Sequence, residues 1–221
     1  MELYEAMRTT FAARDYTGEA VPDEVIYRVL DNARFAPSGG NRQGGHVIIV
    51  RDPDTRAALS RLAEPAAKRY IAQIHAGESP WNAVNPTSVS AETIEDTPAP
   101  AMLTEPFVKA SAVLVVLVDL SVVASMDQEL ERVGVISGAS IYPMVWNILM
   151  GLRQEGYGGT ITTLASARES EVQALLGIPP RFAVSACLPI GKPVKQLTKL
   201  KRRPVEDFVT SERFDGAPYK G

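Results

Sequence analysis

Apolar residues recur at helical spacing most clearly in the segment that follows Pro22. They fall on one face of a helix and are Val25, Ile26, Val29, Leu30 and Ala33. Pro22, Asp23 and Glu24 stand just before them, where a proline and acidic side chains favour the start of a helix. The pattern predicts a helix with one buried face, which the Gly-rich stretch 37–40 brings to an end.

Three short apolar runs predict β-strands. Residues 47–50 are all β-branched, residues 112–118 are apolar without a break, and residues 182–188 are mostly apolar. An apolar run without polar alternation is typical of a strand that is covered on both faces of its sheet. We expect this double burial for residues 112–118.

Further helices are predicted at residues 3–13, 54–74, 130–155 and 169–176. Pro143 is expected to kink the third of these, while Gly177 and Pro179 end the last. Residues 160–163 predict a short polar strand or turn. The proline-rich stretch 77–106 has little periodicity and predicts a long loop or mobile excursion.

Length and composition are typical of one globular domain. The chain has 221 residues, of which 45% are hydrophobic, and this is enough to bury a full core in one α/β domain over residues 1–221. The tail from Lys192 is first basic and then acidic, without the apolar periodicity that it would need to pack alone. We expect the tail to cross a neighbouring element or a partner subunit.

The charge pattern argues against a nucleic-acid partner, and the length of the apolar stretches argues against a membrane span. The chain has 23 basic and 26 acidic residues, and its like charges cluster only at residues 199–203, which argues against a dedicated nucleic-acid surface. The longest apolar stretch, residues 110–120, is too short to span a membrane, and residues 1–4 lack the features of a signal peptide. A cytoplasmic protein is therefore expected.

Few side chains are suited to metal or nucleophilic chemistry. His46 and His75 lie far apart, and no zinc-binding spacing occurs, so no metal site is expected. Cys187 is the single cysteine and lies in an apolar run, which favours a buried structural role over a nucleophile. Rossmann and P-loop phosphate motifs are both absent, so a nucleotide-like cofactor must be held in another way.

Several polar segments could converge on one ligand. Residues 37–43 combine hydroxyl, amide and open backbone N–H groups, and residues 160–163 add three threonines. Arginines near both ends of the chain could bind a phosphate in the bidentate manner that lysine cannot imitate. Each segment alone is also explained by an ordinary turn or by solvated surface charge. Together they favour a polar, flat or phosphorylated ligand.

The same segments resemble the FMN-dependent nitroreductases. The shared motifs, in chain order, are Arg-Thr-Thr at 8–10 with Arg14, Val-Pro-Asp-Glu at 21–24, Ala-Pro-Ser-Gly-Gly-Asn-Arg-Gln at 36–43, Gly-Gly-Thr-Ile-Thr-Thr at 158–163, Leu-Leu-Gly-Ile-Pro at 175–179, Leu-Pro-Ile-Gly-Lys-Pro at 188–193 and Lys-Arg-Arg-Pro at 201–204. The resemblance covers nearly the whole chain. The Pro-Ser-Gly-Gly-Asn loop and the late Arg-Arg-Pro carry most of it.

The resemblance implies an α+β fold with a mixed central sheet flanked by helices, in which two chains interlock as a homodimer and FMN binds at their interface. The residues expected to hold the phosphate and the ribityl chain from one subunit are Arg8, Thr10, Arg14 and Arg202. Those expected from the other subunit are Ser38, Gly39, Gly40 and Asn41. Gln43 would touch the phosphate or the ring edge, and Thr162 and Thr163 would face the flavin ring.

The resemblance also implies an activity in which the flavin carries the chemistry and the protein supplies the geometry. NADH or NADPH would reduce the flavin, and a nitroaromatic, a quinone or a similar conjugated acceptor would then take its place in a ping-pong scheme. The protein needs no catalytic acid or nucleophile for this reaction.

Three departures from the motifs motivate alternatives. Phe11 and Ala12 stand where related sequences often carry arginine and serine, and Gly44 and Gly45 replace a Pro-Trp pair. These changes are compatible with a protein that holds flavin with little turnover. A dehalogenase or a flavin-cleaving enzyme of the same fold is a third possibility. Phe11 itself could occupy a vacant phosphate site or belong to the core, packed against Val25 and Val29.

Overall fold

The computed structural model describes residues 1–220 and contains a four-stranded sheet of order β1-β2-β4-β3. The strands are β1 (Gly45–Val50), β2 (Ala112–Asp119), β3 (Gly158–Gly159) and β4 (Phe182–Gly191). All three strand pairs are antiparallel. Parallel pairing occurs at an isolated bridge between Ala12 and Gly159, outside these strand pairs. The three predicted strand runs are confirmed.

Seven α-helices surround this sheet in the described part of the chain. They are α1 (Leu3–Thr9), α2 (Asp23–Ala33), α3 (Pro53–His75), α4 (Ala91–Asp96), α5 (Ala101–Lys109), α6 (Tyr142–Gln154) and α7 (Glu169–Leu176). Helices α2 and α6 cover one face of the sheet, while α3, α5 and α7 cover the other. The fold is therefore of the predicted α+β class.

Strand β2 is the centre of both hydrophobic layers. Leu114 and Val116 contribute to the layer that includes α2 and α6, whereas Val113 and Val115 contribute to the opposite layer. Because neighbouring side chains of a strand point to opposite faces, an unbroken apolar run satisfies both layers at once. The double burial predicted for this strand is confirmed.

Local signals explain where the confirmed helices begin and end. Helix α3 begins after Asp52, whose carboxylate accepts a hydrogen bond from the Thr55 N–H at 2.8 Å, and Pro53 occupies its first turn. Helix α7 ends at Gly177, whose φ of +65° lies in the left-handed region that favours glycine. Helix α2 has the boundaries that its apolar stripe predicts.

The first and the sixth helix are shorter than predicted. Helix α1 ends at Thr9 instead of residue 13, because the chain extends from Phe11 so that Ala12 can pair with Gly159. Helix α6 begins at Tyr142 instead of residue 130, and Pro143 lies in its first turn, so the predicted kink is absent.

A buried carboxylate explains why residues 130–141 do not continue α6. Asp127 accepts hydrogen bonds from the backbone N–H groups of Val135 and Ile136 and from the side chain of Arg132. These N–H donors hold the pKa of the Asp127 carboxyl well below its usual range. The segment is consequently fixed as a series of turns around one anion.

The prediction of an unbroken loop over residues 77–106 is wrong. This stretch contains α4 and most of α5. Ser90 begins α4, and its hydroxyl accepts a hydrogen bond from the Thr93 N–H at 3.1 Å. Pro106 lies in the second turn of α5. Because proline usually disrupts a helix, the sequence alone did not predict α5.

The tail from Lys192 begins by lying along the amino-terminal segment. Pro193 pairs with Tyr16, and the Gln196 side chain donates to the Thr9 carbonyl at 3.3 Å. The large apolar side chains that the tail exposes are Val194, Val205, Phe208, Phe214 and Tyr219. The tail thus crosses a neighbouring element, as predicted, and its contact with a partner subunit stays a prediction. None of the helices in residues 1–220 combines the length and the hydropathy that crossing a membrane requires.

Candidate functional site

A cavity of about 570 Å³ lies between α3, α5 and the segment 160–167. One side of it is apolar and aromatic, with Ala66, Tyr70, Trp81, Met102, Leu103, Pro106 and Phe107. The other side carries the polar groups Arg14, Thr160, Thr162, Thr163 and Ser166, and the segment 160–167 adds the apolar residues Ile161, Leu164 and Ala167. This division suits a ligand with a flat apolar body and a polar edge.

Strand β4 positions the polar side of the cavity. Thr162 and Cys187 exchange two backbone hydrogen bonds of 3.0 and 2.8 Å, which hold the threonine segment against the strand. Gly159 allows this close approach, because a Cβ atom there would lie 2.8 Å from the Pro189 carbonyl oxygen. Cys187 itself is buried, and burial raises the pKa of its thiol to about 12, so its predicted structural role is confirmed.

Two hydroxyl groups at the cavity have no partner among residues 1–220. The Oγ1 of Thr160 and the Oγ of Ser166 are both buried without a hydrogen bond. Arg14 also lines the cavity, and it forms no salt bridge within the described chain. Since a buried hydroxyl without a partner costs free energy, these donors fit a ligand that presents acceptor oxygens or nitrogens.

The Pro-Ser-Gly-Gly-Asn loop is held in an unusual backbone conformation. Gly40, Asn41 and Gln43 have φ values of +61°, +52° and +51°, in the left-handed region. The Ser38 hydroxyl accepts a hydrogen bond from the Gln43 N–H at 3.0 Å, and the Gln43 side chain donates to the Asn41 Oδ1 at 3.2 Å. Such a loop is strained and preorganised, which is common at binding sites.

This loop does not share the large cavity within one chain. Ser38 and Gln43 line a separate pocket of about 140 Å³, together with Ser140 and Met144. The Gly39 N–H donates to the Ser140 hydroxyl at 2.9 Å, which fixes the loop to the segment before α6. The separation agrees with a site in which the loop serves a second subunit. That assembly stays a prediction.

Three other residues that the sequence predicts to bind the ligand lie away from the cavity lining. Arg8 is exposed in the last turn of α1, and Arg202 is exposed in the tail, where its guanidinium donates to the Lys201 carbonyl at 2.9 Å. Thr10 is 5% exposed, and its hydroxyl donates to the Ala6 carbonyl at 2.7 Å, so its proton is already used. Of the amino-terminal set, Arg14 alone reaches the cavity lining.

The departures from the motifs have structural explanations. A Cβ atom on Gly44 would lie 2.7 Å from the Val122 side chain, and one on Gly45 would lie 2.9 Å from the Met144 side chain. A larger pair would therefore require the Val122 and Met144 side chains to shift, which the flexible methionine can do more easily than the valine. Phe11 is half-buried against Ala13, Tyr16 and Ala110. This packing differs from the alternative in which Phe11 contacts Val25 and Val29.

The sequence did not identify the aromatic side of the cavity. Tyr70 lies on α3 and Phe107 on α5, while Trp81 lies in the segment that joins α3 to α4. The apolar spacing of Met102, Leu103 and Phe107 was a signal for α5, but the nearby prolines obscured it. No local pattern shows that these three residues line one cavity.

A carboxylate fixes the segment that carries Trp81. Glu78 accepts hydrogen bonds from the side chains of Gln73, Thr87 and Ser88, and from the Ser88 N–H. These donors lower the pKa of the Glu78 carboxyl from 4.5 to about 2. The segment is therefore tied to α3 at neutral pH, in contrast to the mobile excursion predicted from its prolines.

Both a family model and individual related proteins match most of this chain. A sequence model described as the Nitroreductase family matches residues 7–192. The NADH dehydrogenase of Thermus thermophilus is 30% identical over 201 residues, which are 89% of this chain and 89% of that protein. The iodotyrosine deiodinase of Nematostella vectensis is 22% identical over 210 residues, which are 94% of this chain and 74% of that protein.

Solved structures share the fold. A crystal structure of oxidized iodotyrosine deiodinase bound to FMN and 3-iodo-L-tyrosine has a TM-score of 0.69 and 21% sequence identity, and the match covers 96% of this chain and 100% of that chain. At this identity the likeness concerns the fold. The family match, in contrast, extends over most of the chain and includes Arg14, the Pro-Ser-Gly-Gly-Asn loop and the threonine segment. The chain belongs to the nitroreductase family.

Proposed function

We propose that the protein is an FMN-dependent oxidoreductase that takes electrons from NADH or NADPH and passes them to a conjugated acceptor. The observation that carries the proposal is the cavity of about 570 Å³, whose lining combines Arg14 and two residues with unpaired hydroxyls, Thr160 and Ser166, with a group of aromatic and apolar side chains. Membership of the nitroreductase family and the similarity to a protein described as an NADH dehydrogenase support it.

The polar side of the cavity fits the edge of a flavin. Arg14 would donate to a phosphate or a ring oxygen. The Thr160 and Ser166 hydroxyls, which otherwise have no partner, would donate to acceptor atoms of the flavin. Thr162 and Thr163 would lie beside the ring, on the segment that Cys187 anchors. The FMN, when bound, would supply the hydride acceptance and donation that no side chain provides.

The other residues predicted to bind the cofactor would reach it from a second subunit or at its phosphate end. Ser38, Gly39, Gly40, Asn41 and Gln43 would reach the flavin of a second subunit, since they lie outside the large cavity of their own chain. The residues that would hold the phosphate end together with Arg14 are Arg8 and Arg202, which are exposed. Thr10 would only lie near the phosphate, because its backbone N–H and its hydroxyl both donate to the Ala6 carbonyl. A homodimer would also cover Tyr142 and Trp146, two partly exposed aromatic side chains of α6.

The chain's own residues would carry out two tasks. The apolar side would exclude water from the reacting atoms, since Pro106 and Phe107 are buried. The exposed part of the same apolar side would admit the nicotinamide and later an acceptor, because Tyr70, Trp81 and Met102 remain partly exposed. A single space that serves two substrates in turn leads to ping-pong kinetics.

Steady-state kinetics test this proposal. With NADH or NADPH varied at several fixed concentrations of 2-methyl-1,4-naphthoquinone, double-reciprocal plots should give parallel lines for the FMN-loaded protein. Intersecting lines would show that both substrates bind together and would contradict the shared space. The same protein with nitrofurazone should give the same pattern, because stacking selects the acceptor more than any one functional group.

A second function is favoured by the relatives that are iodotyrosine deiodinases. In that case, the acceptor would be a halogenated aromatic compound that loses halide. Release of iodide from 3-iodo-L-tyrosine by the reduced, FMN-loaded protein would support this function. Quinone reduction without any iodide release would favour the first.

A further inference from the structure

Trp81 is held in a conformation that tryptophan rarely adopts. Its φ is +52°, in the left-handed region, where a bulky side chain crowds its own backbone. Strain of this kind persists only when surrounding contacts fix the residue. The contacts of Trp81 therefore show which residues hold it in this conformation.

Two hydrogen bonds and one cation–π contact connect Trp81 to helix α3. Its backbone N–H donates to the Gln73 Oε1 at 3.1 Å, and its indole Nε1 donates to the Ala66 carbonyl at 3.3 Å. The guanidinium of Arg69 lies 4.2 Å from the centre of the ring, a cation–π arrangement. The ring is thereby fixed beside α3, where it lines the cavity.

Gln73 is itself fixed by Glu78. Gln73 is 2% exposed, and its Nε2 donates to the Glu78 Oε2 at 3.1 Å while its Oε1 accepts from Trp81. Glu78 in turn holds Thr87 and Ser88. A continuous chain of hydrogen bonds thus runs from the segment before α4, through Glu78 and Gln73, to the backbone of Trp81.

The ring that is fixed in this way lines the cavity together with two others. Tyr70, Trp81 and Phe107 line the same cavity, together with Met102 and Pro106. Aromatic rings gain more from contact with another flat ring than from the buried area alone, and sulfur and proline add favourable contacts with ring faces. A saturated ring of the same size is puckered and makes fewer such contacts.

We propose that Trp81 selects flat aromatic acceptors at this cavity, and that Glu78 acts as a positioning residue that holds Trp81 in place through Gln73. The proposal rests on the proposed function for the role of the ligand as an electron acceptor. Binding at the cavity does not require turnover, so it can be measured independently of that role.

Tryptophan fluorescence locates the binding. The chain has two tryptophans, Trp81 and Trp146, so the Trp146→Phe protein reports on Trp81 alone. Addition of 4-nitrobenzoate to this protein after incubation with FMN should quench the emission in a saturable manner. The Trp81→Phe protein, which reports on Trp146, should show no saturable component. Equal saturable quenching in both proteins would overturn the proposal.

Calorimetric titration with 4-nitrobenzoate measures the selection. Trp81→Ala should raise the dissociation constant about three- to tenfold, and Trp81→Phe should raise it less. Cyclohexanecarboxylate, which has the same ring size and charge without a flat ring, should not displace 4-nitrobenzoate from the wild-type protein. Unchanged affinity in Trp81→Ala, or displacement by the saturated acid, would contradict the role of Trp81.

Glu78→Gln tests the positioning role. The amide cannot accept all four hydrogen bonds of the carboxylate, so the affinity for 4-nitrobenzoate should fall although residue 78 does not line the cavity. Emission from Trp81 in the Trp146→Phe background should shift to longer wavelength as the ring becomes more solvated. Glu92→Gln, an exposed carboxylate of α4, should change neither result. A Glu78→Gln protein with unchanged affinity and emission would contradict the role of Glu78.

The two levels of the proposal fail separately. If NADH and NADPH do not reduce the bound flavin but 4-nitrobenzoate still quenches Trp81, the proposed function is wrong and the binding site stands. If the flavin is reduced but quenching does not depend on Trp81, the selection is wrong and the proposed function stands.

Discussion

Replacement of Arg14 by alanine is expected to raise the dissociation constant for FMN roughly ten- to a hundredfold. The change removes a charge-assisted contact worth about 1.5–3 kcal/mol, from a guanidinium that lines the cavity and forms no salt bridge in residues 1–220. Quenching of flavin fluorescence on binding measures the constant directly. Because no salt bridge of the described chain is lost, the thermal midpoint of the flavin-free protein should change little.

Three further variants make the Arg14 result specific. Arg14→Lys keeps the charge but loses the planar fork, so an intermediate affinity is expected. Arg203→Ala removes an exposed guanidinium near the ring of Phe208 and should leave FMN binding unchanged. Arg202→Ala should weaken binding if the tail arginine reaches the phosphate, as the sequence predicts. Wild-type affinity in Arg14→Ala would show that the cavity does not hold the flavin.

Replacement of Phe107 by alanine is expected to lower the free energy of unfolding by about 3–5 kcal/mol. Phe107 is 0% exposed, and it belongs both to the hydrophobic layer under β2 and to the cavity lining. Its removal therefore enlarges the cavity and weakens the core at once. Urea denaturation monitored by circular dichroism measures the change.

Phe35→Ala is the matched control for this result. Phe35 is 74% exposed, and its recorded aromatic contact is the Arg34 guanidinium, 4.5 Å from the ring centre. An exposed pair of this kind contributes about 0.5–1 kcal/mol, so the loss should stay near or below 1 kcal/mol. Equal losses in the two variants would mean that Phe107 is not a core residue.

The elements that the sequence predicted are those whose signals are local. Burial can be predicted from residue spacing in two elements, the apolar stripe of α2 that ends at Ala33 and the unbroken apolar run of β2. Gly177 ends α7 because the left-handed conformation favours glycine, and this too is a local signal. Such patterns need no knowledge of the rest of the chain.

The elements that were predicted wrongly depend on distant contacts. Apolar residues after Leu130 resembled an extension of α6, but Asp127 binds the N–H groups of Val135 and Ile136 and fixes turns there. Ala12 leaves the helical pattern because Gly159 offers it a pairing partner. A reading of local spacing cannot reveal either partner.

The candidate site divides in the same way. The resemblance identified Arg14, Thr162 and Thr163, which the structure brings together at one cavity. Trp81 and Tyr70 were missed, because they reach that cavity only through the packing of α3 beside α5. The side chains recognised by motif are those proposed to contact a shared cofactor, whereas those proposed to face a variable acceptor have no motif.

Anaerobic addition of NADH or NADPH to the FMN-loaded protein tests the central claim most directly. The account predicts that one or both nicotinamides bleach the visible absorption band of the bound flavin, and that 2-methyl-1,4-naphthoquinone restores it. A protein that takes up no FMN, or whose bound flavin keeps its absorption with both nicotinamides, would contradict the account. In the second case a flavin-holding protein would be the correct description.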